Sequence, residues 1–377
     1  MSSKNSSIVY FENLDGVRFF AFLLVFLTHS FYTENTSILN SNWYHILNKP
    51  NFADGVMVFY TLSGFLITFL LLTEEKIAGK IHIGKFYLRR ILRIWPLYYL
   101  MVAYGFVIVP IIKHFMGLPH VESAQLWYYL LLLPNYSIIY DGIPDSVNLH
   151  VLWSIGVEEQ FYLLWPILLV LFQRQRWLML GCVVVFSALF RIYYLTVGAY
   201  EYAWQHTFSN IFFMAVGAIG AMYAFHFPDR LRNLFIKSRF WNLAIYAFFS
   251  ASYLILLYST GRLYLDIKAF LASIFALYVI LEQEYSSESF FKFKRLRPTL
   301  FLGGISYGLY CYHTIVITTI DIFFIKVLKL DNLVTVAVST PILSLLLTVL
   351  VAYTSYKWLE APILRYKDKF AYVRKHA

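Results

Sequence analysis

Long apolar runs recur along the chain between short polar stretches, and several reach the ~20 residues a helix needs to cross a bilayer. Ten spans can be drawn, at 19–33, 54–72, 95–112, 150–172, 177–197, 207–225, 240–258, 266–282, 299–325 and 333–356. The pattern predicts an all-α membrane protein, a polytopic bundle of about ten transmembrane helices in one domain over 1–377. No fixed-period repeat, linker or low-complexity stretch divides it. The first run, from Phe19, ends in THSFYTEN rather than a small-residue cleavage site, so it reads as a retained helix. One further apolar segment, LWYYLLLLPNYSII at 126–139, does not fit as a crossing, because counting it would invert everything after it. Its Pro134-Asn135 break predicts a re-entrant or interfacial element, buried where protein can satisfy its backbone.

The charges orient this bundle. Lys and Arg favour cytoplasmic loops. Lys76, Lys80, Lys85, Arg89, Arg90 and Arg93 follow the second span, and later clusters hold Arg174 and Arg176, then Arg230, Arg232, Lys237 and Arg239, then Lys292, Lys294, Arg295 and Arg297. With ten crossings and both termini cytoplasmic, all of these and the tail residues Lys367, Lys369, Arg374 and Lys375 share the inner face of a plasma (inner) membrane. Asp141 and Asp145 then face outward. Composition agrees: 60% of the 377 residues are hydrophobic and 14% charged, against roughly a quarter charged in soluble domains. The net charge of +10 is split among short loops rather than spread over one face, so nucleic-acid binding is not expected. Cys182 and Cys311 both lie in apolar spans, and neither a disulfide framework nor a metal site is indicated.

Ionisable residues inside spans are costly and are therefore functional candidates. His29 lies about 16 Å along the first helix from Arg18, near mid-bilayer. Glu158 and Glu159 occupy the fourth span, Arg191 the fifth, and His313 and Asp321 the ninth. A histidine there can simply tie two helices together, and Glu158 can simply pair with Arg191. His150, Ser154, Glu158 and Tyr162 recur at four-residue spacing as a polar stripe, which makes Glu158 the better site candidate. Glu159 keeps apolar company and reads as an interhelical partner. The second constellation is KFYLRRILRIWP at 85–96, where Arg89, Arg90 and Arg93 can share one helix face. It reads either as a positive-inside anchor or as a phosphate clamp, since guanidinium forks bind phosphate oxygens bidentately.

These residues match a known pattern. The chain resembles the acyltransferase-3 family of membrane acyltransferases, which includes polysaccharide O-acetyltransferases. Arg18, ten residues and His29 form one block, and GVMVFYTLSGFLIT at 55–68 a second. Arg90-x-x-Arg93 and LHVLWSIGVEEQFYLLWP at 149–166 complete the resemblance, with weaker matches in SYGLYCYHTIVI at 306–317 and the terminal WLEAPILRY. Met57 stands where relatives often carry an acidic residue, and Arg89 is additional. The chain ends after the bundle, so hand-over to an appended esterase-like domain is not expected.

The resemblance implies transfer of an acyl group, acetyl in the commonest case, from cytoplasmic acyl-CoA as co-substrate to a hydroxyl of a carbohydrate or glycolipid acceptor. No permanently bound cofactor is implied. Arg18, Arg89, Arg90 and Arg93 would hold the CoA phosphates. His29 would act as general base or as an acyl-accepting nucleophile, and Glu158 would orient its imidazole. Ser154, Trp153, Tyr162 and His313 would line or orient the site. A proton- or ion-coupled transporter would also place His and Glu at the midplane, but the repeated halves common in that class are absent and its chemistry leaves the arginines unexplained.

Overall fold

The computed structural model describes residues 11–31, 33, 35–44, 52, 54–236, 239–257, 261–287, 289–367 and 370, and its regular structure is helical throughout, with no strand among them. The main helices are α1 (Asn13–His29), α2 (Gly55–Ala78), α3 (Ile83–Ala103), α4 (Leu126–Leu130), α5 (Pro134–Asp141), α6 (Leu152–Leu171), α7 (Arg176–Thr196), α8 (Thr207–His226), α9 (Arg239–Leu257), α10 (Arg262–Tyr285), α11 (Ser306–Ile322) and α12 (Thr340–Ser355). Among the described residues, eight helical stretches, counting the π-helical turns that extend α3, α11 and α12, are long and apolar enough to cross a membrane, and Phe240–Leu256 within α9 is apolar but shorter. The chain is thus an all-α polytopic membrane protein. Lys237, Lys369, Arg374 and Lys375 lie outside the described residues.

Boundaries differ from the sequence reading where apolarity and helicity part company. α2 continues past residue 72 to Ala78 because TEEK is polar yet helix-compatible. It stops at Gly79, which adopts φ 76° and donates its N–H to Glu75 O, a left-handed cap glycine accommodates without strain. α3 begins at Ile83 rather than 95, so the arginine cluster lies on the third helix itself, in keeping with the shared helix face expected for Arg89, Arg90 and Arg93. The span expected at 299–325 is interrupted at Ile305, between the helix Arg297–Gly304 and α11.

Small residues and buried ion pairs hold the bundle together. α2 and α8 touch backbone to backbone: a Cβ on Gly64 would collide with Met214, and one on Gly217 with Thr61. Lipid gives no hydrophobic drive between helices, so such close packing and interhelical polar contacts carry the association. Near the start of α2, Asp54 pairs with Lys268 at 3.1 Å. Arg191 Nε donates to Asp266 Oδ1 at 2.7 Å, and all four side chains are at most 2% exposed. Arg191 therefore belongs to Asp266 and does not pair with Glu158.

The segment 126–139 forms no continuous helix. α4 and α5 are joined through Leu132, whose φ is +61°, and Gln125 Nε2 donates to Asp141 Oδ1 at 3.0 Å, which brings both ends of the segment together. It is a helical hairpin, as expected of an element that does not run through as one span. Its broken backbone is satisfied from α6, where Gln160 Nε2 donates to Leu132 O (3.0 Å) and Asn135 Oδ1 (2.8 Å). Pro134 packs against Gly156, where a Cβ would not fit.

Candidate active site

One end of the bundle gathers the basic segments. Arg176 pairs with Glu75 (2.7 Å), Arg89 with Glu74 (2.7 Å), and the N–H of Lys294 donates to Asn13 Oδ1 (3.0 Å). A cavity of about 700 Å³ opens among α1, α2, α3, α6, α11 and the helix Ala361–Lys367. Along α2 it is lined from Glu74 to Val56, about 27 Å of helix. That length is close to the ~30 Å of bilayer hydrocarbon.

Five arginines face the cavity, Arg18, Arg89, Arg90, Arg93 and Arg365, against Asp15, Glu74 and Glu158. They are not equivalent. Arg18 bonds Asp15. Arg89 is held by Glu74 and also donates to Phe370 O (2.8 Å), so much of its hydrogen-bonding capacity is already used. Arg90 and Arg93 are half-buried and form no hydrogen bond or ion pair among the described residues. The Arg90 guanidinium instead lies over the rings of Phe86 (5.4 Å) and Tyr162 (5.5 Å). Half-buried cations without an acid are costly alone and favourable with an anion.

Deeper in, Glu158 accepts from Ser63 Oγ and Tyr162 Oη, both at 2.9 Å. One turn further along α6, Ser154 lines the cavity together with Tyr60 of α2 and Tyr310 of α11. His150, a turn before Ser154, does not line the cavity. Trp153 lies off the cavity and packs edge-on against Tyr60. Glu159 accepts from Trp95 Nε1 (2.9 Å) and ties α6 to α3.

His29 does not line the cavity, and neither does His313. They sit together, their ring centroids 5.1 Å apart. His29 Nδ1 is 2.9 Å from Val25 O, and a carbonyl only accepts, so the neutral ring carries its proton on Nδ1 and leaves Nε2 a free lone pair. His313 Nδ1 is likewise bonded to Tyr310 O, at 2.6 Å, and its Nε2 approaches His29 Nδ1 at 3.4 Å. The side chain that touches the His29 imidazole is therefore His313. The carboxylate expected there, Glu158, is bonded to Ser63 and Tyr162 instead. Physically, Glu158 sits on the α6 face that looks into the cavity, while α1 and α11 bring the two rings together from the other side.

Sequence reasoning missed Ser63, Tyr60, Tyr310 and Arg365. All four lie in blocks that were noticed, Tyr60 and Ser63 in GVMVFYTLSGFLIT, Tyr310 in SYGLYCYHTIVI and Arg365 in WLEAPILRY, but nothing in those blocks singles them out from their neighbours. Among the described residues no cluster of three His, Cys, Asp or Glu is arranged to hold a metal ion.

A bundle with a deep arginine-mouthed cavity and a buried histidine pair fits a membrane acyltransferase, and residues 11–357 match the acyltransferase domain model of that class. The chain belongs to the acyltransferase-3 family. Among curated relatives, it is 26% identical over 395 residues to the O-acetyltransferase OatA of Staphylococcus aureus, covering 97% of this chain and 59% of that protein. It is 27% identical over 379 residues to YrhL of Bacillus subtilis, provisionally named a peptidoglycan O-acetyltransferase, covering 94% and 55% respectively. The chain thus spans less than two thirds of these relatives' length. No solved structure shows significant similarity to it.

Proposed function

We propose that the protein is a membrane O-acyltransferase of the plasma membrane, with both termini and its basic end cytoplasmic. It moves an acyl group, acetyl in the simplest case, from acyl-CoA to a hydroxyl of a cell-envelope saccharide or a related acceptor. The observation that carries this reading is the cavity itself. Two arginines with no acid partner among the described residues stand at its basic end, and about 27 Å of helix-lined space leads from there towards His29. A CoA headgroup supplies phosphates for Arg90 and Arg93, and for Arg18 and Arg365 beside them. The narrow, uncharged pantetheine arm suits the deeper part, between Phe59, Leu62 and Leu66 on one side and Ile155 on the other.

In the transfer, the acceptor oxygen attacks the thioester carbonyl. A C–O bond forms, the C–S bond breaks, and the hydroxyl proton passes to His29 Nε2 and from there to the departing thiolate. The Val25 carbonyl fixes the tautomer that makes Nε2 the base. The lone pair of His313 Nε2 faces the Nδ1–H of the imidazolium as it forms. Glu158 works in the cavity rather than on the imidazole, as the acid that keeps Ser63 and Tyr162 in place beside Arg90. The likeness to YrhL, named for peptidoglycan O-acetylation, favours a saccharide acceptor, and transport draws no support from family membership.

The test is direct. Purified protein in detergent is incubated with labelled acetyl-CoA and soluble glycan fragments of peptidoglycan, and both free thiol and label on the glycan are followed. Label should appear on the glycan in step with thiol release. An active-site histidine intact and properly folded, yet neither thiol nor labelled glycan from any acyl-CoA tried, would remove the proposal.

A further inference from the structure

Tyr60, Ser154 and Tyr310 line the donor cavity while the histidine pair does not, and the hydroxyls that stand between them have a particular chemistry. Ser154 Oγ and Tyr310 Oη are 2.7 Å apart. Both also reach the carbonyl of Val151, at 3.3 and 3.1 Å, and Tyr60 Oη donates to Ser154 O at 3.3 Å. Phe59 packs edge-on against Tyr310, and Trp153 against Tyr60, so the hydroxyls are ringed by aromatic carbon. All three residues are buried. The cluster is also tied to the base: Tyr310 precedes His313 by one helical turn, and the His313 ring is bonded to the Tyr310 carbonyl.

Such a cluster discriminates by hydrogen bonding. A thioester carbonyl that reaches it can accept from Tyr310 or Ser154 in place of their mutual bond, so it opens with no buried hydroxyl left unpaired. An alkyl chain pushed into the same place offers no acceptor, and stranded buried hydroxyls are costly. We propose that Tyr60, Ser154 and Tyr310 form a specificity-determining partition between donor cavity and histidine pair, which admits a short acyl group and holds back longer chains and bulk water. This rests on the acyl-CoA reading above and adds to it the residues that set acyl length and coupling.

The experiment compares wild type, Tyr310→Phe and Ser154→Ala with acetyl-, propionyl- and butyryl-CoA, measuring thiol release with and without soluble peptidoglycan fragments. Each variant deletes one side of the same 2.7 Å bond and keeps most of the local shape. The ratio of butyryl to acetyl transfer should rise roughly tenfold in both, the equivalent of one net hydrogen bond. Thiol release without acceptor should rise several-fold, because water now reaches the thioester. An unchanged ratio and unchanged release, in variants that melt with wild type, overturn the partition. So does complete loss of turnover with acyl-CoA binding kept, which would make these hydroxyls catalytic. If Tyr310→Phe does not fold, Ser154→Ala decides alone. Wild-type turnover of acetyl-CoA separates the two levels: its absence sinks the donor reading and the partition together, and its presence beside unaltered variants sinks the partition only.

Discussion

The arginines at the cavity mouth make a prediction in which similar residues behave oppositely. Arg89, Arg90 and Arg93 lie within five positions, but Arg89 is bound to Glu74 whereas Arg90 and Arg93 have no acid partner among the described residues. Replacing Arg93 or Arg90 with Gln should therefore leave stability unchanged or slightly improved, since like charges crowd there, and should weaken CoA binding. One charge-assisted contact is worth about 1.5–3 kcal/mol, which corresponds to roughly a 10- to 150-fold rise in Kd. The double variant should fall short of the product of the two, because neighbours that share a phosphate do not act independently. Replacing Arg89 with Gln should do the reverse: it strands the buried Glu74 and lowers the melting temperature, with a smaller effect on Kd. Titration calorimetry with CoA, alongside thermal unfolding of each purified variant, reads both quantities. If Arg90→Gln and Arg93→Gln bind CoA as wild type does, the cluster is a membrane anchor and the donor site must lie elsewhere.

Other parts of the structure are equally exposed to test. Asp266→Ala leaves Arg191 buried and unpaired and should cost about 3–5 kcal/mol of stability, with most of it recovered by adding Arg191→Met; thermal unfolding of the single and double variants checks this. Gln160→Leu removes the donor that satisfies Leu132 O in the α4–α5 hairpin and should cost roughly 1–3 kcal/mol, read the same way. In a background without Cys182, a cysteine at Val121 should react with an impermeant thiol reagent in intact cells, and one at Lys80 only after the membrane is broken. Labelling of Lys80→Cys in intact cells would reverse the proposed orientation.

Much of this was legible in the chain because bilayers make helices announce themselves as apolar runs. The hairpin was legible too, since Pro134-Asn135 interrupts a run too short to spare residues. What could not be read was pairing. Glu74 and Arg89 are joined across the turn at Gly79, and nothing local marks Glu74 as the partner that takes Arg89 out of the cluster. The helix start at Ile83 was hidden because helix-forming Lys, Leu and Arg look like loop when only apolarity is scored. His29 and His313 are 284 positions apart, and no spacing rule joins them. That is why a carboxylate was expected where the fold supplies a second imidazole.

The most direct measurement on the whole account is His29→Gln. Glutamine keeps a hydrogen-bonding side chain of similar reach beside Val25 O and His313, but it has no lone-pair nitrogen to take a proton near neutral pH. Two readings on one preparation suffice: labelled acetyl transfer from acetyl-CoA to soluble peptidoglycan fragments, and the melting temperature. CoA binding should stay near wild type, because the phosphates are held about 16 Å away along α1. The account predicts no transfer above background with an unchanged melting temperature. Transfer that persists in His29→Gln, or that is lost only because the protein unfolds, would contradict it and move the chemistry away from His29.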